Sequence, residues 1–175
     1  MEDVIIRSAT VADAGAIQEI YAYYVECTAI SFEYDAPSIE EMERRIKETL
    51  KEYPYLVAEA DGHVVGYAYA GKFHTRAAYL YSAELSVYVD KDYRGHEIGK
   101  KLYREIEELL KKKHIVRIYA GIAVTDAEDP FLTDASIRFH IAMGYRQVAR
   151  FHQCGYKFKR WYDLVYMEKE LGELF

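Results

Sequence analysis

The residues best suited to chemistry gather around one strand-to-helix passage, Ala83 to Lys113. Its centre is Arg94-Gly95-His96-Glu97-Ile98-Gly99-Lys100. A glycine-containing turn that opens a helix presents backbone N–H groups with no intrahelical partner, and the helix dipole adds partial positive charge there. Together these hold a phosphate or diphosphate. The spacing is neither the dinucleotide-binding GxGxxG nor a Gly-Lys-Ser/Thr loop for a nucleoside triphosphate. Three further groups carry reactive side chains. Thr133, Ser136 and His140 recur at spacings of three and four, so they share one helix face. Arg76 offers a guanidinium fork that suits a carboxylate. Glu84, Ser86 and Tyr88 fall on one face of the strand that leads into the turn.

Those residues need a scaffold to position them. Leu85, Val87 and Val89 alternate with the polar set, the pattern of a half-buried strand, and Asp90 to Tyr93 reads as a polar loop. Ile98, Leu102, Ile106, Leu109 and Leu110 then take up helical spacing. Upstream, Val4 to Arg7 reads as a strand. Ser8 or Thr10 caps a helix whose stripe is Ile17, Ile20, Tyr21 and Tyr24. Thr28 to Pro37 is loop-like. Ser38 and Glu41 form a capping box ahead of Met42, Ile46 and Leu50. Tyr55 to Ala60 and His63 to Phe73 are strands joined by the hairpin signal Asp61-Gly62. Downstream, Ile115 to Val124 is a strand and Thr125 to Leu132 a loop. Thr133 caps a helix with Ile137 and Ile141 on its buried side, closed by Gly144. Tyr145 to His152 and Tyr162 to Glu168 are strands joined by a loop, Gly155 to Arg160.

Composition narrows the function. The chain has 175 residues, 51% hydrophobic and 30% charged, with a formal net charge of -6. That length suits one domain with a full core, residues 1–175. The acidic balance argues against nucleic-acid binding, and Lys111 to Lys113 reads as a solvated helix end. No signal peptide and no run of ~18 apolar residues is expected, so no membrane span. Cys27 and Cys154 lack metal-site spacing and read as reduced thiols in packing roles in a cytoplasmic protein. His63, His74, His96, His114 and His152 show no ligand spacing, so no metal is expected. The 18 tyrosines suit a pocket that needs apolar surface and hydroxyls together.

The central passage resembles motif A of the GNAT acetyltransferases, Arg/Gln-x-x-Gly-x-Gly/Ala. Arg94, Ile98 and Gly99 match, and Glu97 stands where the family prefers glycine. The order β-α-α-β-β-β-α-β-α-β-β is also that of the GNAT fold. The fold implied is α/β (α+β): a mixed, mostly antiparallel central sheet of six or seven strands flanked by four helices. The resemblance extends over nearly the whole chain. Thr28 with Phe32-Glu33, Arg76 to Tyr79, Glu84 to Tyr88, Ser136 to His140 and Gly155 to Asp163 resemble the phosphinothricin acetyltransferase branch.

The resemblance implies transfer of an acetyl group from acetyl-CoA to the amine of a small amino-acid-like acceptor. Such transfer needs a base for the amine, an aligned thioester, a donor for the developing oxyanion and help for the departing thiolate. Glu84 is then the base and His140 the acid. Ser86, Val87, Tyr88, Arg94, Gly95, His96, Glu97, Ile98, Gly99, Lys100, Thr133 and Ser136 would contact the coenzyme. The oxyanion donor would be a backbone N–H near Val87 or Tyr88, exposed by a bulge that splays this strand from the next. Phe32, Arg76, Tyr79, Tyr156, Lys157 and Trp161 would bind the acceptor. Glu97 would set a negative charge near the diphosphate. The family also implies a homodimer. The alternatives are an acetyltransferase for a peptide N-terminus or polyamine, and a non-catalytic module that keeps the fold.

Overall fold

A computed structural model of the chain describes residues 4–173. The elements follow in the expected order. They are β1 (Ile5–Ser8), α1 (Ala14–Cys27), α2 (Ile39–Leu50), β2 (Tyr55–Ala60), β3 (His63–Lys72) and β4 (Ser82–Val89). Next come α3 (Ile98–Lys112), β5 (Arg117–Val124), α4 (Ala135–Ala142), β6 (Arg146–Lys157) and β7 (Arg160–Glu170). The strands form one seven-stranded sheet in the order β1-β2-β3-β4-β5-β7-β6. Every neighbouring pair is antiparallel except β4 with β5.

Both faces of the sheet are covered. On one, α3 lays Ile98, Leu102, Ile106 and Leu110 against Leu56, Leu85, Ile118 and Ile122. On the other, α1 and α2 bring Ile17, Ile20, Tyr24, Met42 and Ile46 onto Tyr55, Val57 and Tyr67. The alternation within β2 sends successive residues to opposite cores. The second face of β4, expected to meet solvent, is covered too. Tyr88 lies 5.1 Å from the ring centroids of both Tyr21 and Tyr24.

Local chemistry explains most boundaries. Asp61 and Gly62 both adopt positive φ, 51° and 78°, as a tight hairpin between right-twisted strands requires. Thr10 opens a short 3-10 turn, and Asp13 reaches back to its N–H at 2.7 Å. Ser38 caps α2 through the Glu41 N–H at 3.2 Å. Glu41 does not complete the box, because Arg44 and Arg45 hold its carboxylate at 2.8 Å.

Other expectations are corrected. Asp134, not Thr133, occupies the N-cap of α4, and the Thr133 hydroxyl accepts from Ala135 N–H at 3.4 Å. Ile141 is 59% exposed, and α4 instead turns His140 inward. Cys27 and Cys154 are exposed, so neither packs in a core. The segment expected as a loop from Gly155 to Arg160 is the end of a long hairpin. Its turn is Phe158-Lys159, with φ of 52° and 61° and no glycine or asparagine to announce it.

Gly66 in β3 lies in close contact with the start of α3. A Cβ there would lie 3.1 Å from Ile98 Cγ2 and 3.1 Å from the Tyr88 carbonyl oxygen. The backbone oxygen has little room to retreat. Gly66→Ala is therefore expected to lose about 1–3 kcal/mol of stability in urea denaturation, typical of overpacking. An unchanged midpoint would show that α3 slides freely on β3.

Candidate active site

The site begins where β4 and β5 part. They pair for three rungs only, Ser82 with Arg117, Ala83 with Ile118 and Glu84 with Tyr119. Beyond them β4 stays in register with β3 as far as Val89, and β5 stays with β7 as far as Val124. The two strands diverge without a register shift in β4, so splaying replaces the expected bulge. The edge residues of β4 beyond Glu84 lack a partner strand, which leaves backbone groups for a ligand. Leu85 to Tyr88 and Ala120 to Ala123 line a small cavity of about 60 Å³ in this fork, with Tyr103, Ser136 and His140 at its base. Val87 and Ser136 are shared with a groove of about 530 Å³ that runs out to the start of α3.

The turn before α3 supplies that outer groove. Tyr93, Arg94, Gly95, Glu97, Ile98, Gly99 and Lys100 line it, with Thr133, Ser136 and Phe139 opposite. Gly95 has φ +82° and Glu97 has φ 60°, so the chain passes twice through the left-handed region before the helix. This gives the physical reason for a glycine preference at position 97. The first internal bond of α3 runs from Lys101 N–H to the Glu97 carbonyl at 3.0 Å, leaving the amides of Ile98, Gly99 and Lys100 free. Gly99 also lets α4 approach, since a Cβ would meet the Phe139 ring at 3.2 Å. The Arg94 guanidinium sits 5.4 and 5.3 Å from the ring centres of Tyr23 and Tyr24.

Two expectations about this turn change. The Glu97 carboxylate, mostly exposed, is held by Lys100 at 2.7 Å. That pairing keeps its pKa below the ordinary carboxylate value and answers the charge that was expected to face the diphosphate. His96 is exposed and does not line the groove.

Glu84 stands at the last rung before the fork, half-buried. Burial raises its pKa above the ordinary 4.5, and neither the Tyr166 hydroxyl, 3.5 Å from Oε2, nor His74 offsets this. Gly121 on β5 leaves room for the carboxylate, for a Cβ there would be 3.5 Å from Oε1. Glu84 thus lies between the fork and the β3–β4 connection, which carries His74, Arg76 and Tyr79.

His140 is 3% exposed. Its Nδ1 lies 2.7 Å from the Ser136 carbonyl, which can only accept, so Nδ1 carries the proton. Burial lowers its pKa and keeps the ring neutral. Nε2 then accepts from the Tyr103 hydroxyl at 3.0 Å. The expected acid is corrected accordingly: neutral His140 has no proton to present to the fork. Tyr103, which sequence reasoning passed over, fills the base of the cleft. A signal existed, because Tyr103 stands four residues after Gly99 on the helix face turned to α4.

The expected acceptor residues separate into groups. Arg76 is exposed and forms no ion pair among the described residues, so its guanidinium is available. Tyr79 packs on Phe73 and His74, and Phe73 stacks on Tyr119 at 4.1 Å, which ties this connection to the rung beside Glu84. Phe32 belongs to the α1–α2 loop and is wedged against Gly155, where a Cβ would sit 2.5 Å from its ring. Tyr156 and Trp161 pair with each other at 4.8 Å but are 46% and 56% exposed, so they do not wall a pocket within this chain. Lys157 is the clearest correction. It is 4% exposed, and its Nζ donates to the carbonyls of Val25 at 2.6 Å and Ser31 at 2.7 Å. It fastens the hairpin to the end of α1 and meets neither solvent nor the cleft.

Among the described residues, no group of His, Cys, Asp or Glu side chains is arranged to hold a metal ion. No helix there is long and apolar enough to cross a membrane.

Comparison with known proteins gives concordant results. The model of the acetyltransferase (GNAT) domain matches residues 6–166. An L-amino acid N-acyltransferase of Escherichia coli is 36% identical over 174 residues, 96% of this chain and 94% of that protein. An L-methionine sulfoximine/L-methionine sulfone acetyltransferase of Salmonella typhimurium is 34% identical over 171 residues, 96% of this chain and 95% of its own. The crystal structure of a phosphinothricin acetyltransferase from Sinorhizobium meliloti in complex with acetyl-CoA superposes with TM-score 0.88 at 34% identity. It covers 97% of this chain and 89% of that one.

The left-handed Glu97 gives a test of the turn. A non-glycine residue there costs about 1–3 kcal/mol of strain, partly offset by the entropy glycine loses and by the Lys100 pair. Glu97→Gly should raise the melting temperature by about 2–4 °C, the shift for roughly 1 kcal/mol in a chain of this size. Acetyl-CoA affinity by calorimetry should change little, since Lys100 already answers the carboxylate. A lower melting temperature would mean that the ion pair outweighs the strain.

Proposed function

The chain belongs to the GNAT acetyltransferase family, and on that premise we propose that it acetylates the amine of a small, carboxylate-bearing acceptor of the amino-acid type, using acetyl-CoA. It is an N-acetyltransferase, and residues 1–175 are taken as one domain. The reading rests above all on Glu84. Its carboxylate is desolvated at the rung where the sheet opens, with the coenzyme groove on one side and the Arg76 connection on the other.

The diphosphate of the coenzyme lies against the free amides of Ile98, Gly99 and Lys100, with Arg94 beside it. The pantetheine arm follows the unpaired edge of β4 past Val87 and Ser136 into the fork. Thr133 and Ser136 line its outer wall. Arg76 holds the acceptor carboxylate bidentately and Tyr79 bounds the pocket. Glu84 accepts a proton from the acceptor ammonium, directly or through a water, and the freed amine attacks the thioester carbonyl. A backbone N–H near Val87 or Tyr88 donates to the developing oxyanion. As the C–S bond breaks, the extra proton left on the attacking nitrogen passes to the departing sulfur, which leaves beside the Tyr103 hydroxyl as the thiol of coenzyme A. Burial pushes that phenol above its usual range, so it keeps its proton, and its single O–H turns from His140 Nε2 to the sulfur to donate a hydrogen bond. His140, neutral and fixed by Ser136, orients the phenol.

The uncommitted Arg76 favours an anionic acceptor over a polyamine. A peptide N-terminus remains the second enzymatic reading, and a module without catalysis would have no use for a desolvated Glu84. We further infer a cytoplasmic homodimer. The exposed Val148, Phe151, Tyr156 and Trp161 on the edge hairpin support a self-association surface. Free thiols at Cys27 and Cys154 fit a reducing compartment.

An acceptor screen that reads thiol release tests the class, covering amino acids, their sulfone and phosphinate analogues, polyamines and peptides. Turnover confined to polyamines or peptides would overturn the reading. Glu84→Gln should cut kcat by about 10²-fold or more, the scale of a lost general base, with acetyl-CoA affinity unchanged. In the wild type, kcat/KM should climb with pH through a value above 4.5, the ordinary carboxylate figure. The sign for stability is opposite. A raised carboxyl pKa contributes stability only while the group is protonated, so ionised Glu84 weakens the fold at neutral pH. Glu84→Gln should thus melt higher at pH 7, and the advantage should fade below about pH 4.5. Arg76→Ala should raise KM about tenfold or more for carboxylate-bearing acceptors and leave the matching decarboxylated amines unaffected.

A further inference from the structure

A second cavity lies between α2 and the β2–β3 hairpin, and its Tyr69 stands beside Ser86 of the fork. It holds about 260 Å³. Its floor is three tyrosines, Tyr55, Tyr67 and Tyr69, whose rings lie within 21° of parallel at centroid spacings of 5.1 to 6.4 Å. Its mouth is formed by Arg44, Arg45 and Glu48, of which Arg44 and Glu48 are exposed. None of the residues that line the coenzyme groove or the fork contributes to it.

The floor has a property that packing alone does not explain. Tyr55 is 2% exposed and Tyr67 1%, yet neither hydroxyl has a hydrogen-bond partner among the described residues. No side-chain polar atom there is sealed from every partner either, so these hydroxyls open on the cavity. At the mouth, Glu41 takes Arg44 Nε and Nη2 and leaves Nη1 uncommitted. Glu48 is already held by Lys51 at 2.7 Å, so its charge is answered locally.

Flat apolar walls, hydroxyls at the floor and a free guanidinium N–H at the rim define one kind of ligand. We propose that this cavity is a second binding site that takes a small aromatic acid. The ring lies along the stacked tyrosines, the carboxylate meets Arg44 at the mouth, and a hydroxyl at the far end of the ring meets Tyr55 and Tyr67. The volume falls just under the roughly 300–1,000 Å³ of pockets for drug-sized molecules, which limits the occupant to a single ring. The proposal does not depend on the acceptor assigned to the transfer cleft, since it is read by binding alone.

The probe is 4-hydroxybenzoate, titrated into the full chain by calorimetry with and without saturating acetyl-CoA. One-to-one binding that acetyl-CoA does not displace is expected. Acetate, which has no ring, should give no heat. The double variant Tyr55→Phe, Tyr67→Phe removes two hydroxyls that hold nothing in the protein, so its melting temperature should not fall. Its affinity for the probe should drop about tenfold, the loss expected for two modest hydrogen bonds. Arg45 is left intact because it also clamps Glu33 at 2.7 Å. The proposal is overturned if 4-hydroxybenzoate gives no heat at millimolar concentration, if the double variant binds it as well as wild type, or if acetyl-CoA displaces it. The first of these would mean that water alone satisfies the two hydroxyls.

Discussion

The molecule depends on a conflict between two sheet halves. β4 is committed to β3 along its whole length and β5 to β7 along its own, and the two commitments diverge. Only three rungs join them. A sheet that opens in its middle leaves unpaired backbone groups in a place shielded from bulk water, an arrangement that a fold normally avoids. Here the surrounding elements keep the fork open. Tyr103 and His140 fill its base from the α3–α4 side, and Tyr88 is locked from the other face by Tyr21 and Tyr24. The unpaired strand edge offers backbone groups along the opening, and Glu84 is the last paired residue before it.

The approach of α3 follows from the same constraint. The helix must come close enough to present its first-turn amides to whatever enters the fork. Gly66 under the helix permits this, while Gly99 on it makes room for Phe139 of α4. The turn between β4 and α3 then has few residues in which to reverse direction. It does so through left-handed backbone at Gly95 and at Glu97. Strain at position 97 is therefore a consequence of docking the helix over the sheet. The salt bridge to Lys100 is what lets a charged residue occupy the place.

Much of this was legible in the residue order. Period-two and period-3.6 patterns placed the strands and helices of the sheet sandwich where apolar residues are segregated by face, though in α4 they turned Ile141 inward in place of His140. Asp61-Gly62 announced its hairpin because its chemistry suits positive φ. Phe158-Lys159 makes the same turn with residues that carry no such signal, so the β6–β7 hairpin read as a loop and its aromatics as pocket walls. Lys157 was unreadable for a different reason. A lysine is expected at the surface, and only the tertiary fold brings two carbonyls from residues 126 and 132 positions away to its ammonium. The protonation of His140 was equally out of reach. Its partner carbonyl lies in its own helix, but the rings packed around it are Tyr103 of α3 and Tyr145, ahead of β6.

The electrostatics of the fork suggest why this arrangement tolerates instability at its centre. Desolvation raises the Glu84 carboxyl toward the range where it can exchange protons with an amine, and the same desolvation makes its ionised form costly to fold. A stronger partner would remove that cost and the reactivity with it. Asp13 illustrates the alternative. It meets Arg7 at 2.8 Å and its pKa is held down by that guanidinium, which is what a carboxylate looks like when its role is to fasten an element in place. Glu84 has only a long contact to Tyr166 and a distant His74. Arg76, on the connection that leads into β4, keeps its guanidinium outside and forms no ion pair among the described residues. An arginine drawn inward to pair with Glu84 would make a tighter protein, but it would lower the carboxyl pKa and leave an incoming carboxylate without its fork. On the proposed reading, the separation of these two charges is what would make the opening in the sheet a reactive site and not simply a gap.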